Sequence, residues 1–113
     1  HSDYAANYED AQFDVVLRDG QPIGRLYVDR REKEIRILDI ALLPEYRNQG
    51  IGSRLVTDLI IEGGHRRLPV SIHVGQDNPK ALALYQRLGF ERVAETGYHF
   101  LMQWKPVTDP VNP

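Results

Sequence analysis

The sequence predicts a mixed α/β fold in which one sheet is covered by helices. Three observations predict it. Short β-rich apolar stretches stand at both ends of the chain. Between them lie two segments whose apolar residues recur at helical spacing. A turn or cap signal separates each stretch from the next, giving the order β-β-β-α-β-α-β-β, which suits a single mixed sheet.

Each element has its own signal. Phe13 to Leu17 reads as a strand, Asp19-Gly20 as the turn after it, and Ile23 to Val28 as the returning strand, an antiparallel hairpin. Asp29 to Lys33 is a charged turn. Glu34 to Leu43 is a third strand, with Ile35, Ile37, Asp39 and Ala41 on one face and Arg36, Leu38, Ile40 and Leu42 on the other. Pro44 lacks an N–H and ends the pairing. Ile51, Leu55, Val56, Leu59 and Ile60 mark an amphipathic helix from about Gly50 to Glu62, and Gly63-Gly64 is expected to end it. Leu68 to Val74 is a buried strand. Asn78-Pro79 opens a second helix, with Ala81, Leu84, Tyr85 and Leu88 on its inner face and Gly89 closing it. Phe90 to Glu95 and Tyr98 to Trp104 form a last hairpin.

Composition narrows the function classes. The chain has 113 residues, which suits one domain. With 42% hydrophobic and 27% charged residues it is an ordinary globular chain. A formal net charge of −2 and no basic block argue against nucleic acid as a partner. No apolar run has the length of a membrane span and no signal peptide opens the chain, so a membrane role is not expected. The absence of cysteine excludes disulfides and thiolate catalysis and fits a reducing, cytoplasmic setting. Residues 13–104 read as the domain and 105–113, with three prolines, as a loose tail. Residues 1–12 read as the end of an upstream helix or as a frayed lead; His1 is no initiator, so a processed or shortened chain is expected.

The stretch Arg47-Asn48-Gln49-Gly50-Ile51-Gly52 joins a strand to a helix start. No Cβ at Gly50 or Gly52 blocks a ligand from the backbone. The first helical turn presents amides without intrahelical partners, at the positive end of the helix dipole. A pyrophosphate suits such a place, with Arg47 beside it. Read alone, the same glycines serve a tight turn. A Walker-type loop is unsupported, because Ser53-Arg54 stands where Lys-Ser/Thr would follow.

Leu42-Leu43-Pro44-Glu45-Tyr46-Arg47-Asn48-Gln49-Gly50-Ile51-Gly52 resembles the acyl-CoA-binding motif of the GNAT N-acetyltransferase superfamily, whose core is Arg/Gln-x-x-Gly-x-Gly/Ala. Asn78-Pro79-Lys80-Ala81 with Leu84-Tyr85-Gln86-Arg87-Leu88-Gly89-Phe90 resembles the family's next motif, Asn-x-x-Ala-x-x-x-Tyr-x-x-x-Gly-Phe. The resemblance spans roughly residues 13–104. It implies a mostly antiparallel mixed sheet flanked by helices, with two central parallel strands, here Glu34 to Leu43 and Leu68 to Val74, splayed apart at the coenzyme site. Acetyl-CoA as cosubstrate would lie in the opening. Its pantetheine would bond to backbone near Ala41, Leu42 and Leu43, and its pyrophosphate to amides from Asn48 to Ser53, through Gln49, Gly50, Ile51 and Gly52. Family members usually begin with a further strand and one or two helices, which help wall the acceptor site. Their apparent absence leads us to expect a shortened domain or completion by a second chain as a homodimer.

The implied reaction is acetyl transfer to a primary amine by direct attack, without a covalent enzyme intermediate. Such a transfer needs a deprotonated amine, a polarised carbonyl and a stabilised departing thiolate. Tyr85 matches the motif tyrosine that lies near the CoA sulfur in many members, and is the candidate acid; otherwise it is a core aromatic. His73, late in its strand, is a candidate base or a plain strand histidine. Asp39 and Glu34 are alternatives. Asn78 would contact pantetheine, cap its helix, or both. Tyr27, Tyr98 and Trp104 would line the acceptor site or are ordinary strand aromatics. His1, His65 and His99 show no ligand spacing, so no metal is expected. The sequence does not name the amine. A non-catalytic acyl-CoA-binding or regulatory module is the other reading of the same motifs.

Overall fold

The structure, a computed structural model, describes residues 11–107. Strands β1 (Ala11–Arg18), β2 (Gln21–Arg30) and β3 (Ile35–Leu42) are followed by a 3-10 turn at Pro44–Tyr46 and helix α1 (Ile51–Arg66). Strand β4 (Val70–Gly75), helix α2 (Pro79–Arg87) and strands β5 (Glu91–Thr96) and β6 (His99–Trp104) complete the chain. The expected element order is therefore present. The sheet order is β1-β2-β3-β4-β6-β5, and only β3 and β4 run parallel. Residues 1–10 and 108–113, on which most of the expected lead and tail fall, lie outside the described residues, and β1 already includes Ala11 and Gln12.

The turns follow from local chemistry. Asp19 and Gly20 both take positive φ, 52° and 81°, as a two-residue type I′ hairpin turn requires. In the β5–β6 turn only Gly97 does, at 58°, which is the type II′ pattern. Three strands carry an extra residue, that of β5 being Val93 between the pairs Arg92↔Met102 and Ala94↔Leu101. Ile23 in β2 stands between the pairs Val16↔Gly24 and Leu17↔Pro22. Leu38 in β3 stands between Tyr27↔Asp39 and Val28↔Ile37.

The bulge at Leu38 corrects the simple alternation expected for β3. Ile35 and Ile37 are in the core, but beyond the bulge it is Ile40 that packs against the core. Leu42 follows it, with Cδ1 facing α1 at Gly52. Asp39 and Ala41 are turned to the opposite face with Arg36. An inserted residue shifts the two-residue period by one, which pattern reading from a single strand does not detect.

Both helices pack on the same face of the sheet. Val70, Ile72 and Val74 alternate toward Val56 and Leu59 of α1 and Tyr85 of α2 in one buried cluster. Trp104, opposite Val70 in the sheet, lies against the C-terminal ends of both helices, near Gly63 and Gly89. A bidentate pair fastens β2 to α1: Arg30 Nε and Nη2 reach Glu62 at 2.7 and 2.9 Å.

Helix α1 does not end at Gly63-Gly64, as the sequence led us to expect. It runs through both to Arg66 and stops at Arg67, whose φ of 58° is left-handed. Gly63 serves packing instead. A Cβ there would lie 2.7 Å from the Leu68 carbonyl oxygen and 3.2 Å from Trp104 Cζ3. At Gly64 the nearest atom would be Trp104 Cη2 at 3.9 Å, an ordinary contact. Gly63→Ala should therefore cost about 2 kcal/mol through overpacking. Gly64→Ala should leave stability unchanged or raise it by up to about 1 kcal/mol through helix propensity. Urea denaturation of the two variants beside the parent checks both, and equal effects would count against the packing account.

Candidate functional site

The site begins where the parallel pair stops. β3 and β4 are in register only at Ile35↔Val70, Arg36↔Ser71 and Ile37↔Ile72. Beyond these, β3 continues to Leu42 paired with β2, and β4 continues to Gly75 paired with β6. The facing edges of the two strands thus carry peptide groups with no strand between them. The bulge at Leu38 stands at the first residue past the last shared pair, where its added twist carries β3 away from β4. A gap at the carboxyl ends of parallel strands is a common place for a ligand in open α/β sheets.

The loop from Leu43 to Gly50 closes the top of the gap beside β3. The Leu43 amide donates to the Ile23 carbonyl at 2.8 Å, fixing the point of departure. Arg47 Nε donates to the Leu42 carbonyl at 3.0 Å, so this arginine is held back against the strand end. Gln49 donates to the Glu45 carbonyl at 2.8 Å and accepts from Arg18 Nη1 at 3.2 Å, tying the loop to the β1–β2 turn. Asn48 and Gly50 take positive φ, 61° and 82°. An open groove of about 530 Å³ runs along Gly24, Arg25, Ala41, Leu42, Leu43 and Arg47.

The two helix starts are built differently. Asn78 caps α2 with its own side chain, accepting from the Ala81 amide at 3.1 Å. α1 starts at Gly50 with no side-chain cap and no acidic residue in its first turn. Its first backbone bond runs from the Arg54 amide to the Gly50 carbonyl, which leaves the amides of Ile51, Gly52 and Ser53 without an intrahelical acceptor. Gly52 is informative here. Its φ is not positive, and an added Cβ would meet only Leu42 Cδ1 at 3.9 Å. Neither backbone nor packing within the described residues demands glycine there, and its small size leaves free space beside uncapped amides.

The candidate catalytic groups divide by face. Tyr85 lies on the helix side, 4% exposed, with its ring edge-on to Phe90 at 5.2 Å. Burial pushes its phenol up to about 12, so it stays protonated. His73 is exposed on the opposite face, in an edge-to-face contact with His99 at 6.4 Å. Partial burial holds its pKa below the usual 6.5, aided by Arg36 and His99, while Glu34 opposes. Asp39 on that face is ion-paired with Arg25. Glu34 accepts from Ser71 Oγ, from Arg36 Nη2 at 3.1 Å and from Arg31 Nη1 at 2.9 Å. Burial disfavours its charge, but the Ser71, Arg36 and Arg31 contacts together hold its carboxyl below the usual carboxylate range.

The fold thus brings Ala41 to Leu43, the loop 47–53 and the α2 start at Asn78 to one end of the sheet. It separates Tyr85 from His73 and Asp39 by the sheet itself. Trp104 is on the helix side, and Tyr98 is almost fully exposed in its turn. Sequence reading missed Ser71, Arg36 and Arg18, because their contacts join residues 31 to 37 positions apart. Among the described residues no cluster of three metal-ligating side chains occurs, and no helix is long and apolar enough to cross a membrane.

Comparison with known proteins follows the same outline. The Acetyltransferase (GNAT) family pattern matches residues 1–90. The tRNA(Met) cytidine acetyltransferase TmcA of Actinobacillus pleuropneumoniae is 34% identical over 96 residues, covering 75% of this chain and 16% of that protein. The N-alpha-acetyltransferase RimI of Mycobacterium tuberculosis is 40% identical over 62 residues, covering 53% of this chain and 37% of that protein. The chain therefore spans only a minor part of these relatives. Among solved structures, the ribosomal-protein-S18-alanine N-acetyltransferase of Escherichia coli shares the fold, with a TM-score of 0.79 at 24% identity over 96% of this chain and 79% of that one. So does the PaiA N-acetyltransferase of Thermoplasma acidophilum in complex with coenzyme A, with a TM-score of 0.76 at 23% identity over 85% of this chain and 61% of that one. With most of its length matched by the family pattern and its sheet parted between β3 and β4, this chain belongs to the GNAT acetyltransferase family.

Proposed function

We propose that the chain transfers an acetyl group from acetyl-CoA to a primary amine by direct attack. The observation that carries this reading is the parting of β3 from β4 directly beneath an uncapped, glycine-lined helix start. An extended pantetheine arm has amide groups that complement an unpaired strand edge, as peptides do in strand addition. The diphosphate would accept from the amides of Ile51 to Ser53. Relatives in fold support the ligand: one neighbour is described with coenzyme A and another with acetyl-CoA bound. A third, Arabidopsis thaliana Naa50, is described in complex with the bisubstrate analogue CoA-Ac-MVNAL.

In the proposed reaction the amine nitrogen attacks the thioester carbon, the C–S bond breaks, and coenzyme A leaves as its thiolate, which takes up a proton from solvent. His73, neutral at pH 7, accepts the proton that the amine sheds, directly or through water. Asp39 and Glu34 are engaged elsewhere, the first by Arg25 and the second by Ser71, Arg36 and Arg31. Tyr85 donates a hydrogen bond to the departing sulfur. At about 12 its phenol is a weaker acid than an ordinary thiol near 8.5, so it stabilises the thiolate without surrendering its proton. The engagement of both carboxylates by arginine also favours a second reading, a coenzyme-binding module without turnover. Release of free thiol with a panel of amines separates the two.

Isothermal titration with acetyl-CoA should give one site per chain. Gly52→Leu, which fills space the fold itself does not use, should keep the parent's stability and weaken that binding at least ~10-fold. Unchanged affinity would remove the loop from the site. Tyr85→Phe should lower kcat by ~100-fold with acetyl-CoA affinity nearly unchanged.

A pH prediction follows from His73. Its folded pKa lies below the unfolded value of 6.5, so the neutral imidazole persists into mild acid. Its contribution to stability is complete above pH 6.5 and is lost as pH falls through the folded pKa. The acid limb of kcat/KM should therefore lie below pH 6.5 and vanish in His73→Gln; a limb that survives the substitution assigns the base elsewhere.

A further inference from the structure

Ser71, Arg36 and Glu34, far apart or unpaired in the sequence pattern, meet at the base of the gap. Arg36 and Ser71 face each other in the parallel register, one step before the last shared pair. Ser71 is 0% exposed, the one fully buried polar side chain among the described residues. Its hydroxyl accepts from Arg36 Nε at 2.8 Å and donates to Glu34, so both its hydrogen-bonding capacities are used. Arg36 Nη2 returns to Glu34 at 3.1 Å, closing a ring across the two strands. Arg31 joins the ring from the β2–β3 turn at 2.9 Å.

We propose that Ser71, Arg36 and Glu34 form a clasp that fixes where β3 and β4 part, and so sets how deep the acyl end of the coenzyme can sit. This rests on the coenzyme reading given above. Only three residue pairs hold the parallel strands, and the twist added at Leu38 pulls directly above them. Parallel pairing is the weaker kind per residue, so a short parallel ladder under twist frays from its open end. A ring of charge-assisted bonds across the strands opposes that fraying. The three are positioning residues; none is asked to touch the reacting atoms. Opening one further pair would deepen the gap by about 3.3 Å, room for a longer acyl chain.

The clasp and its consequence are tested separately on the full chain. In Ser71→Ala, and in Arg36→Met as a second variant, amide hydrogen exchange across 35–37 and 70–72 should quicken at least ~10-fold relative to the β1–β2 ladder. Unchanged exchange in both variants overturns the clasp, whatever the chain binds. The second arm compares acetyl-CoA with butyryl-CoA as donors. The butyryl-to-acetyl ratio of kcat/KM should rise at least ~3-fold in the variants, while the Kd for coenzyme A, set by the loop, stays within ~2-fold. A ratio that holds at the parent's value, in variants that still bind coenzyme A, overturns the depth assignment, because a merely structural loss lowers both donors alike. A parent chain that binds no coenzyme A overturns the underlying reading itself, and the depth assignment falls with it.

Discussion

Everything at the working end of this molecule depends on a parallel ladder that stops after three residue pairs. A longer ladder would close the sheet and leave α1 starting above a continuous surface. A shorter one would leave β3 and β4, neighbours in the sheet, with little direct pairing. The observed length leaves β3 with five residues and β4 with three beyond the junction. Those residues are still held, but only from their outer sides, by β2 and by β6.

The rest of the architecture keeps that opening rigid. Both helices press on one face, and their C-terminal ends meet at Trp104 where glycines allow close approach. The Arg30–Glu62 fork fastens β2 to α1, with Arg66 adding a bond at 2.9 Å from the same helix. The other face is polar near the junction. There the carboxylates are matched to arginines, whereas the positive end of α1 is left unmatched by any acidic side chain in its first turn. An anion arriving at that end finds donors already oriented and no carboxylate in the helix's first turn.

Much of this was legible in the sequence because it is local. Asp19-Gly20 fixes a turn by its φ preferences, and the spacing of Val56, Leu59 and Ile60 fixes a helix face. The motif around Gly50 and Gly52 placed the loop, and Asn78 was read as a cap, which it is. What escaped depended on partners distant in sequence. A strand cannot reveal its own bulge, since the extra residue exists only relative to the neighbouring register, and so Ile40 and Asp39 were assigned to the wrong faces. Gly63 looks like a helix stop because glycine often is one. Only the closeness of Leu68 and Trp104 makes it an interior residue of α1. Ser71 offers no signal at all until Glu34 and Arg36 are brought beside it.

The position of Trp104 has one more consequence. It is the only tryptophan in the chain, and it lies in the seam where the tails of both helices rest on the sheet. Intrinsic indole emission is therefore a built-in gauge of helix docking, sensitive to loosening of α1 or α2 alike. The parted strands lie toward the far end of α1, so the same emission is a poor indicator of occupancy there, and a quiet fluorescence trace carries no information about whether the gap has been filled.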